Sequence, residues 1–454
     1  MAAAASEQSG TANGISAAAA AVAASAAAAD GEDDFVRFRR MSTLSGFMQH
    51  ATDHGWGPII TAVMRLAAEP NTAALVADLQ RLAALNPRFA SAPLRHPTTR
   101  HCHWRPIPDF DVERDVLRFH ALPGADPAAE RALFLERSLD QGFDGARAQW
   151  EVTLLSYGAA PAVFDLVVRM NHCLGDGTTL FAQVMAVARP VGGGAAAGGA
   201  APRPSRSPPS RRGGVAGLVQ LVWGWVASAV MVACGVAKVL TIISRPGDPK
   251  CCLTVSAAQV QERKTVATAV VSLESLRRCR GKECTINDVI MACAAGALRR
   301  YLLRRGDPLM ARKWRAPVLS TILLFGAPRQ LAAGQALSAN SFASVFVPLD
   351  LRNLPQSWFI GVLSYAMRKG TFYVSNLQGP QGRISIADVE IAHMFNFVNP
   401  SLAFVLSVMS YGGSATIAVA ANTAAMPDPE AFVQDFMAEM NALEAAAGAK
   451  EKVT

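Results

Sequence analysis

The sequence predicts an α/β protein with two domain-sized halves. At 454 residues the chain is long enough to bury two separate cores. In the first half, Leu75, Leu79 and Leu82 recur at helical spacing, whereas residues 163–170 form the apolar, β-branched run typical of a buried strand. Thr285 can cap a helix in the second half, so the alternation of helices and strands resumes there.

Composition divides the chain into five segments. Residues 1–34 are mostly Ala, Ser and Gly, and we expect them to be disordered because they carry too few large apolar side chains for a core. Residues 35–190 and 244–446 carry the patterns of the two predicted domains. Between them, 191–214 is rich in Gly, Ala, Pro, Ser and Arg, which predicts a flexible linker, and 215–243 is an apolar segment.

The most informative motif is Asn171-His172-Cys173-Leu174-Gly175-Asp176-Gly177. A neutral imidazole is well suited to accept a proton from an alcohol near pH 7, so His172 is a candidate general base. We expect the preceding strand to deliver His172 at its end, with Thr178 and Thr179 capping a helix that follows and two glycines permitting the tight turn. A histidine on such a rigid mount favours catalysis and indicates acyl transfer.

Two neighbours of His172 have structural interpretations. Asp176 follows His172 by four positions, and we expect it to support the turn by pairing with an arginine elsewhere. Cys173 is predicted to pack rather than to act as a nucleophile, because adjacent side chains on an extended turn diverge. Taken alone, so short a motif is also compatible with an ordinary loop histidine, and the surrounding sequence has to decide.

Together with this motif, further blocks resemble the wax ester synthase/diacylglycerol acyltransferase family and follow one another in the order found in that family. They are residues 147–151, 285–289, 296–302, 340–342, 347–349, 375–380 and 406–411. The resemblance implies two chloramphenicol-acetyltransferase-like domains with an active-site tunnel between them. It also implies that acyl-CoA is used to esterify a long-chain fatty alcohol, giving a wax ester, or a diacylglycerol, giving a triacylglycerol.

The resemblance suggests roles for residues outside the motif. Asn287 is the candidate donor to the tetrahedral oxyanion, with Ser375 or Asn376 next, because an amide or a hydroxyl can stabilise charge there. Asp288 is expected to organise the start of its helix rather than touch substrate. The candidate substrate-binding residues are Asn171, Gly177, Asp288, Ser375 and Asn376.

Two features depart from the family pattern. The family usually carries a histidine directly before the catalytic one, and Asn171 takes that position here. The stretch 350–372 is also much shorter than in the family, which predicts a reduced wall of the acyl tunnel or a lost exon. These departures leave a catalytically impaired lipid-binding relative as one alternative, and a condensation-type acyltransferase acting on an amine as another.

Composition favours contact with lipid. Charged residues make up 17% of the chain and hydrophobic residues 51%. The uncharged run 215–237 would span ~34 Å as a helix, enough for a ~30 Å hydrocarbon core. A single crossing would separate His172 from Asn287, so we expect an interfacial or re-entrant association, with Trp223 and Trp225 suited to the interface. A buried crossover helix is the alternative. The expected location is the endoplasmic reticulum, with plastid or lipid droplet as alternatives.

Several other classes of function are disfavoured. The net charge of +8 could serve CoA phosphates or an anionic membrane, but no basic run is interleaved with aromatics as a nucleic-acid groove requires. His101-Cys102-His103 and the pair Cys279 and Cys284 lack a second ligand pair at zinc-like spacing, so we expect no metal. Acyl-CoA enters as a substrate, and no cofactor is expected.

Overall fold

The computed structural model describes residues 38–122, 126–158, 162–191, 244, 247–256, 258–280, 284–311, 319, 321–324 and 369–451. The predictions for residues 1–34, for the linker beyond residue 191, for the apolar segment up to residue 243 and for most of the stretch 350–372 therefore fall outside the described residues. The predicted domain boundaries stay predictions.

The N-terminal half alternates helices and strands, as its apolar patterns predict. Its helices are α1 (Thr43–Asp53), α2 (Thr72–Leu85), α3 (Val112–Asp115), α4 (Pro127–Asp140) and α5 (Gly177–Val187). Its strands are β1 (Arg39–Arg40), β2 (Ile59–Leu66), β3 (Ser91–Arg95), β4 (Cys102–Pro106), β5 (Leu117–Leu122), β6 (Trp150–Tyr157), β7 (Val163–Asn171) and β8 (Arg189–Pro190). The leucine spacing in α2 serves packing, since Leu75, Leu79 and Leu82 are each at most 2% exposed.

The C-terminal half resumes the α/β pattern. Its helices are α6 (Leu273–Arg280), α7 (Ile286–Arg304) and α8 (Pro429–Glu451). Its strands are β9 (Lys264–Ser272), β10 (Thr321–Leu324), β11 (Phe372–Gln378), β12 (Ile384–Ile386), β13 (Val389–Val398), β14 (Phe404–Tyr411) and β15 (Ser414–Asn422).

Two large sheets organise these elements, and the second half contributes strands to both. The seven-stranded sheet has the order β5-β6-β7-β2-β13-β12-β8, so β12 and β13 extend the sheet of the N-terminal half. The five-stranded sheet has the order β10-β11-β14-β15-β9. The strand β7, which carries the histidine motif, pairs antiparallel with β2, and β2 pairs antiparallel with β13. The end of β7 therefore lies two strands away from a strand of the other half.

One face of the five-stranded sheet is covered by α6, α7 and α8 and forms an apolar core with them. The opposite face packs against the N-terminal half, where Ala418 and Ala420 join Val63, Phe395 and Phe397 in a separate buried cluster. Polar contacts also cross this seam, including Lys264 Nζ to Asp140 at 3.1 Å. The two halves thus share a packed interface as well as a strand crossover.

Among the described residues, none of the helices combines the length and the apolar character that crossing a bilayer would require. Residues 215–243 are not among those described.

Candidate active site

His172 lies directly after β7, in the tight turn that leads into α5. The strand forms because residues 163–170 are mostly apolar and include three valines, and its last seven residues are buried. Backbone hydrogen bonds fix the turn on both sides: His172 N donates to Pro58 O at 3.1 Å, and Leu174 N donates to Asn171 O at 3.1 Å. The strand, turn and helix predicted around His172 are confirmed.

The start of α5 is capped two positions earlier than Thr178, the first of the two caps that the sequence predicts. Asp176 is the N-cap residue, and its Oδ1 accepts hydrogen bonds from Thr179 N at 2.7 Å and from Thr178 Oγ1 at 2.8 Å. The prediction that the threonines cap this helix was wrong, because the carboxylate of Asp176, two positions before Thr178, reaches the free N–H groups and also complements the helix dipole. A cap of this kind contributes about 1 kcal/mol.

The side chain of Arg88 supports the turn by a hydrogen bond to a backbone oxygen of the turn. Arg88 donates from Nη1 to Leu174 O at 3.0 Å, and the predicted pairing of an arginine with Asp176 stays a prediction. Arg88 is 5% exposed, and its guanidinium lies 5.6 Å from the centre of the Trp104 ring. Nothing in the local sequence signals this contact, which joins residues 86 positions apart.

Asn171 connects the turn to two other elements. Its Nδ2 donates to Gln149 Oε1 at 2.9 Å and to Gln49 Oε1 at 3.3 Å. Its Oδ1 accepts from Cys173 N at 3.0 Å and from Thr52 Oγ1 at 3.3 Å. Asn171 is fully buried, so its amide groups are used inside the protein. The role in substrate binding predicted for Asn171 stays a prediction, and these contacts favour a structural role.

Burial sets the protonation of the two reactive side chains in the turn. It lowers the pKa of His172 below its ordinary value of 6.5, and the nearby charge of Asp176 offsets only part of that effect. Burial also raises the pKa of the Cys173 thiol well above its ordinary value. At pH 7 the imidazole is therefore neutral and able to accept a proton, whereas the thiol is protonated and a poor nucleophile.

The start of α7 carries the second group of candidate residues. Thr285 caps this helix in a capping box: Asp288 N donates to Thr285 Oγ1 at 3.2 Å, and Thr285 N donates to Asp288 Oδ2 at 2.7 Å. The hydrogen bond from the Thr285 backbone lowers the pKa of Asp288. Asp288 thus organises the helix start, as the sequence predicts, and its substrate contact stays a prediction.

The structure brings two of the predicted residues together across 89 positions of sequence. Asn376 Nδ2 donates to Asn287 Oδ1 at 2.5 Å. Because this bond holds the oxygen of the Asn287 amide, the amide nitrogen is directed away from Asn376 and its N–H groups are oriented as donors. Ser375 projects to the other face of β11, since successive strand residues alternate. Only Asn376 therefore shares a side of the sheet with Asn287.

The arginines near α7 pair with α8. Arg300 contacts Glu439 at 2.6 Å, Arg304 contacts Asp435 at 2.7 Å, and Arg278 of α6 contacts Glu444 at 2.8 Å. Exposed pairs of this kind contribute at most about 1 kcal/mol each. These three side chains link helices and are engaged in ion pairs.

Two family models match successive parts of the chain. Residues 58–290 match the wax ester synthase/diacylglycerol acyltransferase catalytic domain, and residues 335–444 match the C-terminal domain of the same family. The chain belongs to the wax ester synthase/diacylglycerol acyltransferase family. A probable diacylglycerol O-acyltransferase of Mycobacterium tuberculosis is 27% identical over 235 residues, which cover 45% of this chain and 44% of that protein. The aligned part is thus less than half of the curated relative.

Solved structures confirm the fold. The wax ester synthase/diacylglycerol acyltransferase from Marinobacter aquaeolei VT8 superimposes with a TM-score of 0.56 at 16% identity, covering 90% of this chain and 100% of that one. A starter condensation domain of rhizomide synthetase RzmA, solved with C8-CoA and Leu-SNAC, gives a TM-score of 0.55 at 13% identity, with 92% and 96% covered. The predicted α/β fold of two chloramphenicol-acetyltransferase-like domains is confirmed.

Proposed function

We propose that the protein transfers a long acyl chain from acyl-CoA to the hydroxyl of a long-chain fatty alcohol or a diacylglycerol. Membership of the family supports this reaction class. A structure of similar fold was solved with C8-CoA, which supports a thioester of CoA as the donor. The observation that carries the proposal is the buried, neutral imidazole of His172 on a rigid turn.

In this proposal His172 is the general base. It accepts the hydroxyl proton as the alcohol oxygen attacks the thioester carbonyl carbon, which gives a tetrahedral intermediate. The Asn287 amide, oriented by Asn376, donates a hydrogen bond to the oxyanion. The intermediate then collapses, the C–S bond breaks, and the departing CoA thiolate receives the proton from the imidazolium. The ester and CoA leave, His172 is neutral again, and no covalent enzyme intermediate is formed.

We also propose that residues 215–243 associate with a membrane as an interfacial or re-entrant segment and do not form a single transmembrane crossing. The run lies between His172 and Asn287 in sequence, and the mechanism needs both residues on the same side of the membrane. The endoplasmic reticulum is the proposed location, because the substrates are lipids.

Tags at the two termini should be equally sensitive to protease added to sealed vesicles. Exposure of the two tags on opposite sides contradicts this topology.

Ester synthesis by purified protein tests the reaction. Protein in detergent is given labelled palmitoyl-CoA with hexadecanol, dioleoylglycerol or hexadecylamine. We expect palmitoyl esters from the alcohols, and a loss of about 10³-fold in His172→Ala, since general-base catalysis contributes 10²–10⁴-fold. His120→Ala is the matched control, because His120 is exposed on β5 and lies outside the site.

Three outcomes contradict the proposal. If the protein forms no ester with either alcohol, it is not an O-acyltransferase for these acceptors. If His172→Ala is as active as the wild type, His172 is not the base. If the amide forms in preference to both esters, the protein acts as a condensation-type enzyme, a class whose fold it shares.

A further inference from the structure

The connection between α4 and β6, residues 141–149, is attached to the strand that delivers His172. The connection forms neither helix nor strand. Its first residue, Gln141, accepts a hydrogen bond at its carbonyl oxygen from Arg169 Nη2 of β7. The guanidinium carbon of Arg169 also lies 5.2 Å from the centre of the Phe143 ring. Because Arg169 is buried and lies three residues before His172, these contacts fix the start of the connection beside the end of β7.

The last residue of the connection, Gln149, reaches the catalytic turn. Its side chain is fully buried, and its Nε2 donates to Asp144 O and Arg147 O of the connection, each at 2.9 Å. Its Oε1 accepts from Asn171 Nδ2 at 2.9 Å. The Asn171 Oδ1 in turn accepts from the backbone nitrogen of Cys173 in the turn at 3.0 Å. One buried amide thus joins the backbone of the connection to the turn that carries the proposed base.

The second half of the protein holds the helix that leads into this connection. Asp140, the last residue of α4, accepts a hydrogen bond from Lys264 Nζ of β9 at 3.1 Å. One turn earlier, Glu136 contacts Arg263 at 2.8 Å and accepts from Thr265 Oγ1. Lys264 is 4% exposed, and a buried ammonium group is costly unless a carboxylate pairs with it. Three consecutive residues of the second half therefore fix the end of α4.

The contacts with the second half and with β7 lie on adjacent residues. Asp140 pairs with Lys264, and the carbonyl of the next residue, Gln141, accepts from Arg169. The peptide bond between the two residues is planar and rigid, and their Cα atoms are about 3.8 Å apart. A shift of the second half along α4 therefore displaces the contact with β7 as well.

We propose that Gln149 and Lys264 are positioning residues for the proposed base, His172. Lys264 fixes the end of α4 from the second half, and Gln149 passes the position of the connection on to the turn through Asn171. The packing of the second half against α4 thus orients an imidazole that belongs to the first half. The inference rests on the function proposed above, and both residues act through the connection 141–149 rather than on the substrate.

The pH profile of ester synthesis tests the role of Gln149. Gln149→Met keeps the length of the side chain and removes its donors and its acceptor. It should lower kcat about tenfold, as expected for a small displacement of the base, and leave KM for palmitoyl-CoA near the wild-type value. The midpoint of the acidic limb should rise, because a looser turn admits water and burial is what lowers the pKa of His172.

Tyr301→Phe is the matched control for Gln149→Met. It removes the hydrogen bond of another buried side chain, from Tyr301 Oη to Asp428 at 2.7 Å, in the second half. Activity is expressed per mole of folded protein, measured by circular dichroism. The control should lower the melting temperature and keep both kcat and the midpoint. If Gln149→Met gives the same pattern as this control, Gln149 serves stability alone and the proposal is overturned.

Lys264 is tested in the same assay. Lys264→Met removes the buried ammonium group and should lower kcat by less than Gln149→Met does, with the midpoint again raised. Lys264→Arg keeps a cation beside Asp140 and should regain most of the loss. In the double variant with Gln149→Met, the loss should be no larger than in Gln149→Met alone, because both residues act through one connection. Losses that multiply overturn the proposed path.

The remaining outcomes separate this inference from the proposed function. If Gln149→Met and Lys264→Met both keep the wild-type kcat and midpoint, the positioning roles are overturned and the proposed function stands. If the wild type forms no ester, both are overturned. If Gln149→Met does not fold, Lys264→Met decides by the same two readouts, since a buried ion pair can be replaced by an apolar side chain with little loss of stability.

Discussion

The turn that carries His172 and the start of α7 that carries Asn287 contrast in how each is held. The turn is buried, and backbone bonds, Arg88 and the Asn171 amide fix it from several elements. The start of α7 is partly exposed, and the position of Asn287 depends on its own capping box and on one hydrogen bond from Asn376.

This contrast suits the two proposed roles. A base must keep its pKa, and deep burial of His172 fixes that pKa at the cost of mobility. An oxyanion donor has to be reached by a substrate oxygen, and Asn287 lies at a partly exposed helix start. Changes near His172 should therefore affect stability and activity together, whereas changes at Asn287 should affect activity alone.

Outside the catalytic turn, the largest effect is expected at Asn287. Asn287→Ala should lower kcat for ester formation by about 10²–10³-fold, the loss typical of one oxyanion donor, with little change in melting temperature. Asn376→Ala should lose about tenfold, because it orients Asn287 without touching substrate. In the double variant the loss should be no larger than in Asn287→Ala, since the second residue acts through the first.

Asn71→Ala is the control for these variants, because Asn71 caps α2 and lies outside the site. It should cost about 1 kcal/mol of stability and leave kcat unchanged. If losses from Asn287→Ala and Asn376→Ala multiply in the double variant, the two residues act independently and the proposed orientation is wrong.

The sequence predicts those elements whose formation depends on neighbouring residues. The β-branched run before His172 gave the strand, and Thr285 with Asp288 gave the start of α7. At the start of α5, three side chains able to cap lie within four positions, and residue types alone do not decide which of them the backbone places at the cap. Position within a turn is set by dihedral angles that residue types alone leave open.

The supports of the site depend on contacts between distant residues. Asn171 meets Gln49 across 122 positions, and Ile59 meets Asn399 across 340. The exchange of β13 into the sheet of the other half is likewise a property of the folded chain. The pairing of Asn287 with Asn376 joins two distant residues that the sequence had already singled out.

A smaller effect than that of Asn287→Ala is expected at Asn171, where the family usually has histidine. Asn171→His should lower the free energy of unfolding by about 2 kcal/mol, because an imidazole cannot replace both the donors and the acceptor of the buried amide. Ester synthesis should fall as the turn shifts. Urea denaturation measures the first effect and the palmitoyl-CoA assay the second. A variant as stable and as active as the wild type would indicate that Asn171 is a neutral replacement.

The pH dependence of kcat/KM for ester synthesis tests the central claim, that His172 is a buried neutral base, most directly. Activity requires the neutral imidazole, so it is lost only as pH falls through the pKa of His172, and burial lowers that pKa. The acidic limb should therefore have its midpoint below 6.5. Asp176→Asn retains a capping side chain but removes the charge that raises the pKa of His172, so it should shift the midpoint to lower pH. A midpoint at or above 6.5, or an upward shift in Asp176→Asn, would contradict the account.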